Sequence, residues 1–294
     1  MVMKRGCVLG YDINEKGCQI SYYDDSMEEP DTMMASSNNY LIPLVLGYFK
    51  DRWVFGKEAK RLAVVGEDCT ETDLYGKAKR REKVILAGKT YDAVWLLAKY
   101  ISLTLQDFEN IQYLTFTTPE TDVDMAKMLK GIGQHIGVDK EIISVQDYKE
   151  SFCQYMIFQP KELWQYESAL FYCDEDRIKA YMLRRLRVDA SHGMNSFVTV
   201  DEVANAQRKE LEALYPIMNK EKSPDESFKS MIENVFEKKV ISSVYLTGEG
   251  FEKNWYPNSL RVLCNGRRAF MGNNLYSKGA CYKSIRKCES NDDG

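Results

Sequence analysis

Apolar residues run through Cys7, Val8 and Leu9, and they recur in alternation from Cys18 to Tyr23, with the turn formers of residues 14–17 between the two runs. That pattern predicts a β-hairpin with a polar centre carrying Asp12 and Asn14. A carboxylate at such a tip, beside the N–H groups of a turn, is suited to hold a hydrated divalent cation next to a phosphate. Asp is equally a favoured turn residue, so shaping the turn is the competing reading.

Farther along, the period changes several times. Residues 24–39 are acidic and rich in Met and Ser, which suits a long loop or a weak extra strand. Strand character resumes over 39–55 with a turn at Lys50 and Asp51, and 57–65 has helical composition. Residues 66–81 read as a surface connection with some helix, and 83–89 as a short strand and turn. Val94, Leu97, Ile101 and Leu105 recur at helical spacing, predicting an amphipathic helix over 91–108 with one buried stripe. A strand at 111–117, a helix at 122–136 ended by Gly137, a strand at 141–145 and a helix at 149–158 follow. This alternation argues for an α/β sheet covered by helices.

Residues 163–186 repeat the opening logic, with apolar runs on either side of Asp174, Glu175 and Asp176. Two acid-tipped hairpins about half a chain apart point to internal duplication. Helices are expected over 201–218 and 227–238. A buried strand over 240–246 runs into Thr247-Gly248-Glu249-Gly250-Phe251, and a helix over 273–285 is expected to break at Gly279.

At 294 residues the chain has room for two lobes, each with its own core. Its 44% hydrophobic and 29% charged residues suit a folded soluble protein. Forty basic against 44 acidic residues give a net charge of −4, so there is no global attraction to nucleic acid or anionic membrane. The basic run at Lys77, Lys79, Arg80, Arg81 and Lys83 is interrupted by Glu82 and reads as a solvated face. No apolar run approaches the roughly 20 residues of a membrane span, and the first apolar run is too short for a signal peptide. Eight cysteines without a CxxC pair suggest reduced, cytoplasmic thiols. His135 and His192 lack the spacing of a metal site or a triad and read as ordinary residues.

The order of motifs resembles the actin, heat-shock chaperone ATPase and sugar-kinase superfamily. The motifs are the hairpin with Asp12, the strand and helix around Thr118-Pro119-Glu120, the strand and helix around SVQDYKESFCQY (144–155), the hairpin with Asp174, LTGEGF (246–251), and a late helix with Gly279-Ala280. Residues 42–60 and 114–138 also resemble chaperone segments. The ending, VYLTGEGF with RRAFMGNNLYSKGACY, resembles a bacterial family of unknown function related to that superfamily.

The resemblance implies an actin-like, ribonuclease H-like fold of two lobes, each a mixed sheet with flanking helices. The first lobe would span 1–158 with an inserted subdomain at about 25–90, and the second 159–288 with a small insertion at about 188–239. Residues 289–294 would form a disordered tail. It further implies ATP or ADP with Mg²⁺ as cofactor. Asp12 would hold the metal through water, with Gly10, Tyr11, Ile13 and Asn14 near the phosphates. Asp174 would face metal or water on the second hairpin beside Asp176, and Asp147 would help position the attacking water. Gly248, Glu249, Gly250 and Phe251 would lie against the adenosine, Lys278 could reach the nucleotide, and Gly279 and Ala280 would permit close helix crossing at a hinge.

The phosphate loops depart from the superfamily's Asp-x-Gly pattern. The first reads Asp12-Ile13-Asn14 and the second Asp174-Glu175-Asp176-Arg177, where extra carboxylates would repel a triphosphate. The expected function is therefore a nucleotide-binding conformational switch or interaction module with weak or absent hydrolysis. Its partners would be a nucleotide and either another protein or a second copy. The alternative is a non-catalytic pseudo-ATPase scaffold or filament former that binds no nucleotide. A small-molecule kinase ranks last, because the segment between the second hairpin and the adenosine loop is short for one.

Overall fold

Seven consecutive residues, Cys7–Ile13 (β1), are buried and form the centre of the first sheet. A strand covered on both faces can be apolar without alternation, which is why this run reads as it does. Gly17–Tyr23 (β2) pairs antiparallel with it, followed by Asp31–Thr32 (β3) and Ile42–Pro43 (β4), both on β2. Leu46–Phe49 (β5), Arg52–Phe55 (β6) and Thr70–Glu71 (β7) make a small separate sheet around the helix Gly56–Val64 (α1). The helix Leu74–Lys79 (α2) and the hairpin Lys83–Leu86 (β8) with Lys89–Asp92 (β9) complete this insertion. The helix Ala93–Thr104 (α3) leads to Ile111–Thr118 (β10), which lies parallel to β1. The helix Val123–His135 (α4) leads to Ile143–Asp147 (β11), parallel to β10, and then to the helix Tyr148–Ile157 (α5).

The second sheet is built from Glu167–Cys173 (β12), Arg177–Ala190 (β13), Gly193–Gln207 (β14), Ile241–Thr247 (β15) and Arg268–Met271 (β16). The helices Pro224–Phe236 (α6) and Pro257–Leu263 (α7) accompany it, and Leu275–Asp292 (α8) closes the chain. The computed structural model describes residues 6–66, 68–190, 193–207 and 223–292. They are mixed α/β and divide into two compact units, Met1–Ser151 with Tyr276–Gly294, and Phe152–Leu275. The last helix thus clusters with the first unit, although the sequence suggested the second lobe.

Both sheets repeat one plan. The first runs β11-β10-β1-β2-β3 and the second β14-β13-β12-β15-β16. With β4, which pairs only with β2, set aside, counting strands within each sheet in chain order gives the arrangement third, second, first, fourth, fifth in both. Among the first three each strand is antiparallel to its neighbour, and the fourth and fifth run parallel to the first. The repeat suggested by the two acid-tipped hairpins is therefore a repeat of topology.

Side-chain alternation gives the first sheet two different faces. Leu9, Tyr11, Ile13, Cys18, Ile20, Leu114, Phe116 and Ile143 enter the core cluster that also holds Leu96, Leu97, Tyr100 and Ile101 of α3. Burying each large aliphatic side chain there contributes about 1.5–3 kcal/mol. Helix α3 is buried on more than one stripe, with Ala93, Leu96, Leu97, Ala98, Tyr100, Ile101 and Thr104 all inside. The opposite face is hydroxyl-rich and meets α8. Ser21 hydrogen-bonds Ser277 at 2.7 Å, Thr115 hydrogen-bonds Ser284 at 2.7 Å, and Ser284 Oγ also donates to the Leu9 carbonyl at 2.7 Å. A β-carbon on Gly10 would lie 2.1 Å from the Ser277 carbonyl oxygen, so the helix sits directly on that strand's backbone.

Three sequence expectations are corrected. Residues 201–207 are strand β14, paired with β13. Their Glu, Ala and Gln content favours helix, but cross-strand pairing overrides so weak a preference. The rest of that predicted helix, 208–218, lies outside the described residues. Gly279 also does not interrupt the last helix, which is continuous from Leu275 to Asp292 and carries on past Glu289, where a tail was expected.

Candidate functional site

Asp12 is the penultimate residue of β1, at the carboxyl end of a strand parallel to β10 and, through it, to β11. In open α/β sheets that end is where ligands gather. Registered beside Asp12 are Thr117 on β10 and Gln19 on β2, and Thr117 in turn faces Gln146 on β11. A polar row thus crosses the strand ends on the hydroxyl-rich face.

The carboxylate of Asp12 is only 5% exposed. Its Oδ1 accepts a 2.7 Å hydrogen bond from the Tyr148 hydroxyl, and among the described residues no cationic side chain forms an ion pair with it. Burial raises its pKa from 3.8 to about 7, against the opposing effect of the Tyr148 hydrogen bond. Asn14 explains itself locally. Its Oδ1 accepts from the Lys16 and Gly17 backbone N–H groups at 2.9 and 3.3 Å, which closes the hairpin turn. Its Nδ2 is thereby turned outward and donates to the Tyr148 hydroxyl at 3.0 Å. The Tyr148 ring stacks on Tyr276 with centroids 3.8 Å apart and planes 6° from parallel.

Behind this group lies a second chain of hydrogen bonds. Gln146 Nε2 donates to Ser151 Oγ, which donates to Thr117 Oγ1, each at 2.7 Å. Gln146 Oε1 is buried with no hydrogen-bond partner among the described residues. Tyr75 of α2 is within electrostatic reach of Asp12; burial raises its phenol pKa, Asp12, Glu15 and Glu120 add to the rise, and a Thr118 hydrogen bond opposes it.

Other expected residues of the first unit have structural work. Tyr11 and Ile13 are core side chains, and Tyr11 hydrogen-bonds Thr104 at 2.7 Å. Asp147 accepts the Glu150 N–H at 2.9 Å at the start of α5. Lys278 is half-buried on α8. A β-carbon on Gly279 would stand 2.0 Å from the Ser151 carbonyl oxygen, so close helix crossing is the use of that glycine.

The second unit gathers the remaining candidates separately. Asp174 Oδ1 accepts the Asp176 and Arg177 N–H groups at 2.8 and 2.7 Å, and Oδ2 accepts the Tyr172 hydroxyl at 3.1 Å. It therefore shapes its own turn, and Asp176 is exposed. Gly248 has φ +93°, and a β-carbon there would lie 2.2 Å from the Cys173 carbonyl oxygen. Gly250 is equally tight against Cys173 Sγ, at 2.3 Å. Glu249 opens a short 3-10 turn that ends at Phe251, which is buried among Phe228, Trp255 and Tyr256.

Sequence reasoning missed Thr117, Gln146, Tyr148, Ser151 and Tyr276. The alternations Thr115-Phe116-Thr117 and Ser144-Val145-Gln146 were the available signal, since each puts polar residues on one face. Nothing in the sequence pairs Tyr148 with Tyr276. Among the described residues no three His, Cys, Asp or Glu side chains converge, so a cation at Asp12 would be held mainly through water. A cleft of about 380 Å³ between Lys79, Arg81, Asp122, Asp124, Met125 and Met128 contains none of the expected site residues.

A family profile described as the C-terminal part of DUF5716, a family of unknown function, matches residues 29–294. The chain belongs to that family. The match takes in the insertion, both sheets from β3 onward and α8, but begins after the Asp12 hairpin. No curated protein matches the chain. No helix among the described residues is long and apolar enough to cross a membrane.

Proposed function

We propose that this DUF5716-family protein is an actin-like, two-lobe nucleotide-binding switch that takes ATP or ADP with Mg²⁺ at Asp12 and hydrolyses it slowly or not at all. The observation that carries the reading is Asp12 itself. A carboxyl group buried at the carboxyl end of parallel strands, with no ion-paired basic side chain among the described residues and with its pKa raised to about 7, is costly to keep for structure alone. A hydrated Mg²⁺ would supply the missing positive charge and bridge to phosphate oxygens. The repeated strand order of the two sheets supports the superfamily assignment.

Slow chemistry follows from the same residues. Asp147 is engaged as a helix cap and Asp174 as a turn former, so each already spends one carboxylate oxygen on backbone N–H groups. Neither loop has glycine two residues after its aspartate, where phosphate usually approaches bare backbone. Those engagements also favour a second reading, a scaffold or self-assembling protein that has lost nucleotide. The two are separated by thermal melting with Mg-ADP, with Mg²⁺ alone and with ADP plus chelator. Under the switch reading only Mg-ADP raises the midpoint, and Asp12→Ala abolishes the rise. A midpoint unmoved by Mg-ADP or Mg-ATP leaves the scaffold.

A further inference from the structure

Asn14 stands where a phosphate loop would carry glycine, and the structure gives that side chain a task. Its amide is oriented by the hairpin, because Oδ1 is taken by the Lys16 and Gly17 N–H groups. Nδ2 must therefore point away from the turn, and it meets the Tyr148 hydroxyl at 3.0 Å. A hydroxyl that accepts from Asn14 has its single proton left to donate, and it donates to Asp12 Oδ1 at 2.7 Å. The direction of every proton in this chain is set by the turn backbone. Stacking on Tyr276 at 3.8 Å holds the ring in place from its face.

We propose that Asn14, Tyr148 and Tyr276 form a clasp on Asp12, in which the Tyr148 hydroxyl competes with a cation-bound water for Oδ1 and draws back when a divalent cation takes that oxygen. A water on a metal and a phenol both present an O–H to a carboxylate oxygen, so the two compete wherever the water approaches Oδ1. This inference rests on Asp12 as a cation carboxylate and adds the group that restrains it. The clasp offsets part of the burial cost of Asp12 in the unliganded site, and a cation approaching Oδ1 must displace that hydrogen bond. Tyr148 is a positioning residue here and takes no part in bond making.

The test compares Mn²⁺-ADP binding by calorimetry in the parent, in Tyr148→Phe and in Asn14→Ala. Phe keeps the stack on Tyr276 and removes only the hydroxyl. Losing a competing hydrogen bond to a charged group should tighten binding by about tenfold or more in Tyr148→Phe, with a smaller gain in Asn14→Ala. Binding that appears only in Tyr148→Phe also supports the clasp. Equal or weaker binding in Tyr148→Phe overturns it while leaving the nucleotide reading intact. Silence in all three proteins removes the nucleotide reading, and the clasp is then decided without ligand. The midpoint loss in Asn14→Ala plus Tyr148→Phe should be no larger than in the more affected single variant, and additive losses would overturn the relay.

Discussion

Replacing Asp12 by Asn should stabilise the protein, and only at the pH values where Asp12 would be charged. The carboxyl is 5% exposed and its pKa rises from 3.8 to about 7 on folding, chiefly through burial. A folded-state pKa above the unfolded one means that the folded protein holds the proton more tightly. Below pH 3.8 both states are protonated and nothing is lost. Between pH 4 and 7 stability falls as the unfolded state ionises first, and above pH 7 the deficit is constant. Three pKa units correspond to about 4 kcal/mol. Asn is nearly isosteric and its Oδ1 still accepts the Tyr148 hydroxyl, but its new N–H₂ needs a partner, which offsets about 1–2 kcal/mol. The net gain at pH 8 is then about 2–3 kcal/mol. Urea denaturation of parent and Asp12→Asn at pH 4, 6 and 8, in chelator, isolates this group because every other titration is common to both. The difference should be absent or reversed at pH 4 and reach its full size by pH 8. An Asp12→Asn protein no more stable than the parent at pH 8, or a difference that ignores pH, refutes the argument that Asp12 is kept at a structural cost.

Other perturbations follow from contacts elsewhere. Gly10→Ala places a methyl group on the backbone of α8 and should cost about 3 kcal/mol or prevent folding, read by chemical denaturation. Gly131→Ala, in α4 with nothing within 4 Å of the added carbon, should instead raise stability by about 0.5–1 kcal/mol. Asp225 is the opposite case to Asp12. Burial would raise its pKa, but hydrogen bonds from Ser259 and Asn258 outweigh burial and hold it below 3.8. Its contribution is present above that pH and lost as pH falls through the folded value. Asp225→Ala should cost about 2–4 kcal/mol at pH 7 and progressively less in acid, measured by melting across pH.

Much of this fold was legible because its elements obey short-range rules. Cys7–Ile13, the turn at Lys50 and Asp51, the helix ended by Gly137 and the strand Ile241–Thr247 all follow from apolar runs and turn formers. The duplicated topology was visible as two acid-tipped hairpins. What was illegible depends on distant partners. Residues 201–207 are strand only because β13 lies beside them, and by local composition Gly279 reads as a helix breaker, whereas the family resemblance implied the close helix crossing that the Ser151 carbonyl shows. At the site, Asp12 and Asn14 stood out as turn residues carrying chemistry. Tyr148 did not, since it reaches Asp12 across 136 positions of chain, and no periodicity records that contact. Asp174 looked equivalent to Asp12 in sequence, yet it spends its carboxylate on its own turn.

The central claim is that a cation and its phosphate sit beside Asp12. Crystals grown with Mn²⁺ and ADP test it directly by anomalous scattering at the manganese edge. The account predicts one manganese peak within a water's reach of the Asp12 carboxylate, with ADP phosphates attached and Tyr148 drawn back from Oδ1. A crystal with Tyr148 still bonded to Asp12 and no manganese beside that carboxylate, at saturating Mn²⁺-ADP, would contradict it.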